Sequence, residues 1–312
     1  MSTNISPTAF LRTLLLGALL LLAASPALAD SYGLGVAGDF NTFIFNDFSG
    51  SSDTEGKLAV GGNAYLEHYS VGDKLSAGSG DVLVVGGDLT YTGGQVYNGD
   101  IRVGGSASLP SYDLSSGGET YVGAGLPFSF ASEQARLTTL SQTLSQVADT
   151  GSSSYQWGTI TLTGTGATTE VFSLDGQQLL DANNLAIAGI ADGATVIINV
   201  SGESSGFTNM GLQALANMNE NVLFNFYEAT DLTISGVAVE GSILAPLAHV
   251  DAQNGVIYGT TIASSWSGPV QQDHVPFQGD LPTTATPIPG AVWLLGSGLL
   301  GLVGLRRRRN RA

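Results

Sequence analysis

Leu58-Ala59-Val60-Gly61-Gly62-Asn63, Val82-Leu83-Val84-Val85-Gly86-Gly87-Asp88 and Ile101-Arg102-Val103-Gly104-Gly105-Ser106 repeat one short phrase. Each is a branched apolar run, two glycines and a small polar residue. The Gly-Gly pairs begin at positions 61, 86 and 104, so the phrase recurs after 25 and then 18 residues. A unit of that size, one short strand plus a turn, cannot bury its own inner face. Stacking on its neighbours solves the problem, and the product is a β-solenoid. The glycine pairs are expected to turn the corners with φ > 0. An irregular β-sandwich with glycine turns is the alternative reading of the same repeat.

The β pattern resumes at Tyr155. Thr159-Ile160-Thr161-Leu162-Thr163-Gly164-Thr165 alternates hydroxyl and apolar side chains, as a strand wet on one side does. Further apolar runs follow at 171–174, 194–200, 221–227, 232–235, 241–245 and 255–259. Continuous runs such as Val196-Ile197-Ile198 predict strands buried in a parallel stack. Between the two β regions lies a different period. Leu137, Leu140, Leu144 and Val147 share one helical face, with Glu133 in the first turn and Ser132 as candidate cap. This predicts one helix within 130–149, laid by its narrow apolar stripe along the β body. A second, short helix is a candidate at 210–219.

The chain has no cysteine, so thiol catalysis and thiolate metal sites are excluded. Arg12 and the five arginines of the tail (306–309 and 311) lie outside residues 30–281. That region keeps four basic residues, Lys57, Lys74, Arg102 and Arg136, against all 26 acidic ones, a formal charge of −22. Such a surface repels nucleic acid, which needs Lys and Arg to displace counterions. It would accept divalent cations or a cationic polymer, and it keeps an exported protein soluble.

Few residues announce chemistry. His68, His249 and His274 are the only histidines and form no zinc-binding spacing. His274 reads as a structural residue near the last coil. Asp39, Asp47, Asp53 and Glu55 are weak calcium candidates, and Asp73, Asp81, Asp88 and Asp100 fall in glycine-rich turns. With no EF-hand loop, solvated turn aspartates are the plainer reading of both sets. The threonine row 159–165 could present hydroxyls, although an ice-binding face would need such rows stacked coil after coil. No catalytic residue and no resident cofactor is expected: basic residues are too scattered for a lyase, and no carboxylate pair is singled out for a glycosidase.

Both ends of the chain carry addresses. Arg12, the apolar run 14–24 and Ala27-Leu28-Ala29 compose a signal peptide over 1–29, cleaved after Ala29. At the other end come Pro287-Ile288-Pro289-Gly290, an apolar run to Leu305, and then Arg306, Arg307, Arg308 and Arg309. Positive charge stays on the cytoplasmic side, so this order halts an exported chain in the inner membrane. The run is short and glycine-rich for a permanent span. It resembles a PEP-CTERM sorting signal, the tail read by exosortases in Gram-negative bacteria, with Pro-Ile-Pro where the usual motif is Pro-Glu-Pro.

The body carries a second resemblance. Gly38 to Phe48, Asp53 to Ala64, Glu240 to Ala248 and Gly255 to Ala263 are similar to motifs of the choice-of-anchor A domain, a relative of ice-binding-like adhesive domains. The resemblance implies a mainly β fold: a right-handed parallel β-solenoid with one long α-helix packed alongside. The expected organisation is a signal peptide (1–29), the solenoid (30–281), a Pro/Thr spacer (282–289) and a sorting or anchor segment with its arginine tail (290–312). The expected protein is not an enzyme. It is an adhesion or structural protein of the cell surface, extracellular matrix or biofilm, exported by the Sec machinery and processed by an exosortase-type enzyme. Its partners would be extracellular polysaccharide or neighbouring cells. A calcium-dependent carbohydrate binder or ice binder, and then a glycan-active enzyme, are the alternatives.

Overall fold

The computed structural model describes residues 33–282 apart from residue 113. The signal peptide, its cleavage residues Ala27 and Ala29, and the sorting residues Pro287, Pro289 and Arg306–Arg309 lie outside the described residues. Within them the chain forms a 21-stranded sheet wound on itself and a separate three-stranded sheet. Nineteen of the 24 strands are three to seven residues long, and every pairing in the large sheet that carries a register is parallel. Successive strands of a coil contribute to three different ladders, so the sheet closes into a solenoid. The expectation of stacked parallel coils holds, and the sandwich alternative does not.

The winding order differs from a simple repeat array. Thr42–Ile44 pairs on one side with Leu58–Val60, the next coil. On the other side it pairs with residues 261–263 of the last coil. One ladder therefore runs 120–122, 101–103, 83–85, 58–60, 42–44, 261–263, 243–245, 223–225, 196–200, 169–175. The first and last coils meet at a seam in the middle of the stack, and the middle of the chain makes both ends. Nine spacings of about 4.8 Å make the ladder about 43 Å long.

A helix, α1 (Phe130–Leu144), carries the chain back along this ladder. Its fifteen residues cover about 22 Å. Phe130, Leu137, Leu140 and Leu144 are buried in one cluster with the outward-facing residues beneath, among them Phe43, Ala59, Val84, Leu244 and Ile262. Phe43 is the anchor, with Phe130 5.1 Å and Phe128 5.5 Å away between ring centroids. Farther along, the outward column turns polar. Asn225 donates to Ser141 O (2.9 Å) and to Asn199 Oδ1 (2.8 Å), and Asn199 donates to Leu144 O (2.9 Å). Two buried asparagines thus hold the last turn of α1 by its carbonyls. Ser129, not Ser132, caps the helix: its Oγ accepts from Ser132 N–H. The 210–219 region makes only two 3-10 turns, Gln213–Leu215 and Asn219–Asn221. A short helix that was not expected, α2 (Gly176–Asp181), is capped by Asp175.

The Gly-Gly corners correct the expected backbone conformation. None of Gly61, Gly62, Gly86, Gly87, Gly104 or Gly105 has a positive φ. They are glycine because coils touch there. A Cβ on Gly61 would strike Phe45 O, one on Gly86 would strike Gly61 O, and one on Gly104 would strike Gly86 O, all closer than 3 Å. The corner ladder continues through them, with Gly86 N–H donating to Val60 O (2.7 Å) and Gly104 N–H to Val85 O (2.8 Å).

The polar residue that follows completes the corner. Asp47 Oδ1 accepts from Asn63 N–H (2.8 Å), Asn63 Oδ1 from Asp88 N–H (2.9 Å) and Asp88 Oδ1 from Ser106 N–H (2.8 Å). Each corner side chain thereby holds the next coil in register. Gly86→Ala is expected to cost about 1–3 kcal/mol, the range for forcing atoms into a packed site. Gly125→Ala, where nothing lies within 4 Å of the added Cβ, should change stability by less than about 0.5 kcal/mol. Denaturant unfolding of the two variants checks this.

Candidate binding surface

The three ladders give the body three side faces with different chemistry. The first lies under α1. The second runs 107–108, 89–91, 64–66, 48–50, 266–267, 249–251, 231–235, 204–208 across the seam. Its inward column is apolar: Leu89, Ala64, Phe48, Trp266, Val250 and Leu232 are all buried. Its outward column reads Thr90, Tyr65, Ser49, Ser267, Asp251 and Thr233, in register and open.

At the seam this open face is dished. Asp47, Ser49, Tyr65, Thr90, His249 and Ser265 line a shallow groove of ≈ 610 Å³, with Phe48 and Trp266 in its floor. The floor is rigid, because Phe48 and Trp266 stack at 6.0 Å with an interplanar angle of 10°. His249 is fixed by two hydroxyls of the adjacent strand, Ser265 Oγ at 2.8 Å from Nδ1 and Ser267 Oγ at 3.1 Å from Nε2. Tyr65 is 43% exposed. The groove thus combines an aromatic ring, an imidazole held between two hydroxyls, and threonine and serine hydroxyls on rigid strands.

The third face runs 115–116, 96–97, 70–71, 53–54, 272, 257, 239. Here the structure sorts the calcium candidates. Asp53 and Glu55 come together and Asp73 joins them, with one carboxylate oxygen of each within 4.8 Å of the others. Asp39 is exposed in the 3-10 turn Gly35–Asp39, outside this group. Asp47 lines the groove on the other face, and its Oδ1 already accepts from Asn63 N–H. The trio already has a cation, as Lys74 Nζ lies 3.7 Å from both Glu55 and Asp73. Glu55 also accepts from His274 N–H at 2.9 Å, which ties the last strand to the first coil. That contact is made by the backbone of His274; burial of its imidazole lowers its pKa.

The turn aspartates are not merely solvated. Asp88 and Asp100 accept from backbone N–H groups of the next coil, and Asp81 pairs with Arg102 at 2.8 Å. Hydrogen bonds from Ser106 N–H and Oγ–H hold the Asp88 carboxyl below its ordinary range. The threonine row does not extend from coil to coil. Thr159, Thr161 and Thr163 lie on the separate three-stranded sheet, and Thr165 instead donates to Glu170. Sequence reasoning did not find Tyr65, His249 or the seam hydroxyls. They come from opposite ends of the chain and share no motif.

Burial pushes the Asp53 carboxyl above its ordinary range, against a lowering hydrogen bond from Ser52, with Asp73 and Glu55 adding to the rise. A carboxyl whose pKa is raised by folding has no effect below its unfolded value and subtracts stability once pH rises through the folded value. Asp53→Asn should therefore melt higher than the parent at pH 7. The gap should close near about pH 3, below the unfolded carboxylate pKa. Melts across that range check the sign.

Among the described residues, no helix is long and apolar enough to cross a membrane. No curated protein matches the chain. The crystal structure of an ice-binding protein from the Antarctic ascomycete Antarctomyces psychrotrophicus overlaps 78% of this chain and 98% of its own, at 13% identity and a TM-score of 0.30. A TM-score that low says nothing about which face of this chain acts. The profile of the ice-binding-like adhesive domain matches residues 33–274, from the first 3-10 turn through the last strand at the seam. The chain belongs to the ice-binding-like adhesive domain family.

Proposed function

We propose that this chain is an exported adhesion protein of the cell surface or extracellular matrix, and that it holds polysaccharide through the open face at the seam. Family membership supports adhesion or an ice-binding-like role. The observation that carries the finer reading is the groove, where Tyr65, Thr90, Ser49 and the His249–Ser265–Ser267 set lie together on rigid strands. Shallow clefts with one aromatic ring and several fixed hydroxyls suit polyhydroxylated ligands, which present both C–H faces and hydrogen-bonding edges.

Leu34 and Leu281, near the two ends of the described residues, both pack in the cluster under α1. In this reading the amino-terminal segment directs Sec export and the carboxy-terminal segment, PEP-CTERM-like, is cut by an exosortase-type enzyme after a transient stay in the inner membrane. The body is a choice-of-anchor A domain that needs no resident cofactor.

Two measurements test the proposal. Polysaccharide purified from the producing cells should bind the purified protein. Tyr65→Ala with His249→Ala should weaken binding by at least about tenfold, the loss of one aromatic hot spot, with the fold intact by circular dichroism. Unchanged affinity would remove the groove from the reading. Independently, the native protein should have a mass truncated near Pro289 and lie outside the inner membrane. An intact tail retained in the inner membrane would make the segment a plain anchor.

A further inference from the structure

One end of the stack, at Thr169–Asp175, is closed by the three-stranded sheet Ser152–Gln156, Thr159–Thr163 and Asn184–Ala188. Its inner face is apolar, with Ile160, Leu162 and Leu185 buried in the solenoid core. Its outer face is different. Ser152, Ser154 and Gln156 lie opposite Thr163, Thr161 and Thr159, and Asn184, Ala186 and Ala188 follow in register on the third strand. No side chain in this three-by-three grid is ionisable, on a chain with 26 acidic residues.

At the edge of the grid stands Trp157. It is 96% exposed, whereas the next most exposed large hydrophobic residue among those described, Val122, is 52% exposed. Trp157 and Gly158 form the two-residue loop of the hairpin, with φ of +49° and +78°. Such a left-handed pair is ordinarily Asn-Gly, and a bulky side chain there is a true outlier. Tryptophan gains nothing from this conformation and buries nothing in it, so neither local preference nor packing accounts for the residue. The tip is also held firmly. Asn183 N–H and Asn184 N–H donate to Gly158 O at 2.8 and 3.3 Å, and the Tyr155 hydroxyl donates to Asp181 O at 3.2 Å.

An exposed indole on a firmly held turn, beside a sheet face of hydroxyls and carboxamides, matches one ligand chemistry. The ring can stack on the C–H face of a pyranose while Gln156, Thr159, Thr161 and Asn184 exchange hydrogen bonds with its hydroxyls. Charge decides between occupants. The grid has no carboxylate to draw a cationic polymer, and no Lys or Arg to hold an anionic glycan or lipid headgroup. We propose that the outer face of this end sheet, anchored by Trp157, is a second binding site, for an uncharged polysaccharide. It is separate from the seam groove and does not rest on it.

The test is affinity electrophoresis of the purified protein through gels containing hydroxyethylcellulose, dextran or galactomannan. At least one should retard the parent, and Trp157→Asn should weaken that interaction at least tenfold while Trp157→Tyr keeps most of it. Because asparagine suits the left-handed turn, Trp157→Asn should also melt at or above the parent temperature. The Tyr65→Ala, His249→Ala protein should keep the Trp157-dependent part of the retardation, which separates this site from the groove. Retardation by none of the three polymers, or retardation unchanged in Trp157→Asn, would overturn the proposal. So would a lower melting temperature of Trp157→Asn, which would make the indole structural. Trp157-dependent capture by phosphatidylcholine vesicles or a Trp157-dependent dimer, without polymer binding, would also overturn it by assigning the face to a membrane or a second copy.

Discussion

Coils of this protein lie one strand spacing apart, about 4.8 Å, and at the corners that leaves no room for a side chain. A Cβ added at Gly86 would lie 2.3 Å from Gly61 O, and one added at Gly104 would lie 2.5 Å from Gly86 O. The rest of the body follows from it. With the corners in contact, the corner amides stay in the ladder, the residues after them cap the next coil, and every strand enters its face in register. A register slip of one residue would turn each inward leucine or valine to solvent. The capping chain Asp47, Asn63, Asp88, Ser106 opposes that slip three times over. The acidic character of the chain is thus partly architectural, since several of its carboxylates serve as acceptors for backbone N–H groups.

The seam is the second organising fact. A solenoid wound from one end would put the chain termini at opposite ends of the stack. Here the first strand lies between its own second coil and the last coil. This winding requires a return path, and α1 supplies it. The helix is therefore more than packing along the side, because it carries the chain from one end of the stack toward the other. Phe43 at the seam and Asn225 and Asn199 farther along fix its two halves by different means, ring packing and hydrogen bonding.

The proposed binding sites lie on faces of this body rather than in a deep cleft. The helix occupies one face. Another gathers Asp53, Glu55 and Asp73 around Lys74. The open face and the end sheet remain, both hydroxyl-rich and each with one exposed aromatic residue, Tyr65 or Trp157. Rigid surfaces with scattered aromatics suit repeated, individually weak contacts to a polymer, and such contacts gain strength by being made together.

The class of fold was legible locally. The Gly-Gly phrase, the branched runs and the period of Leu137, Leu140 and Leu144 are short-range patterns, and each reports a short-range requirement: a strand, a tight corner, one buried helical stripe. The same locality misled in places. Gly-Gly signalled a corner correctly, but the reason is contact between coils, which no single coil displays. Ser132 looked like the cap because the true cap, Ser129, precedes two apolar residues. Four aspartates and glutamates close in sequence looked like one cluster, yet a coil of about 20 residues carries Asp47 and Asp53 onto different faces. The groove could not be read at all, since Tyr65 and His249 are 184 residues apart. Local sequence determined most of the elements and that they must stack. Only the tertiary structure decided the order of stacking, because pairing the first coil with the last depends on a strand edge that exists only after both halves have folded.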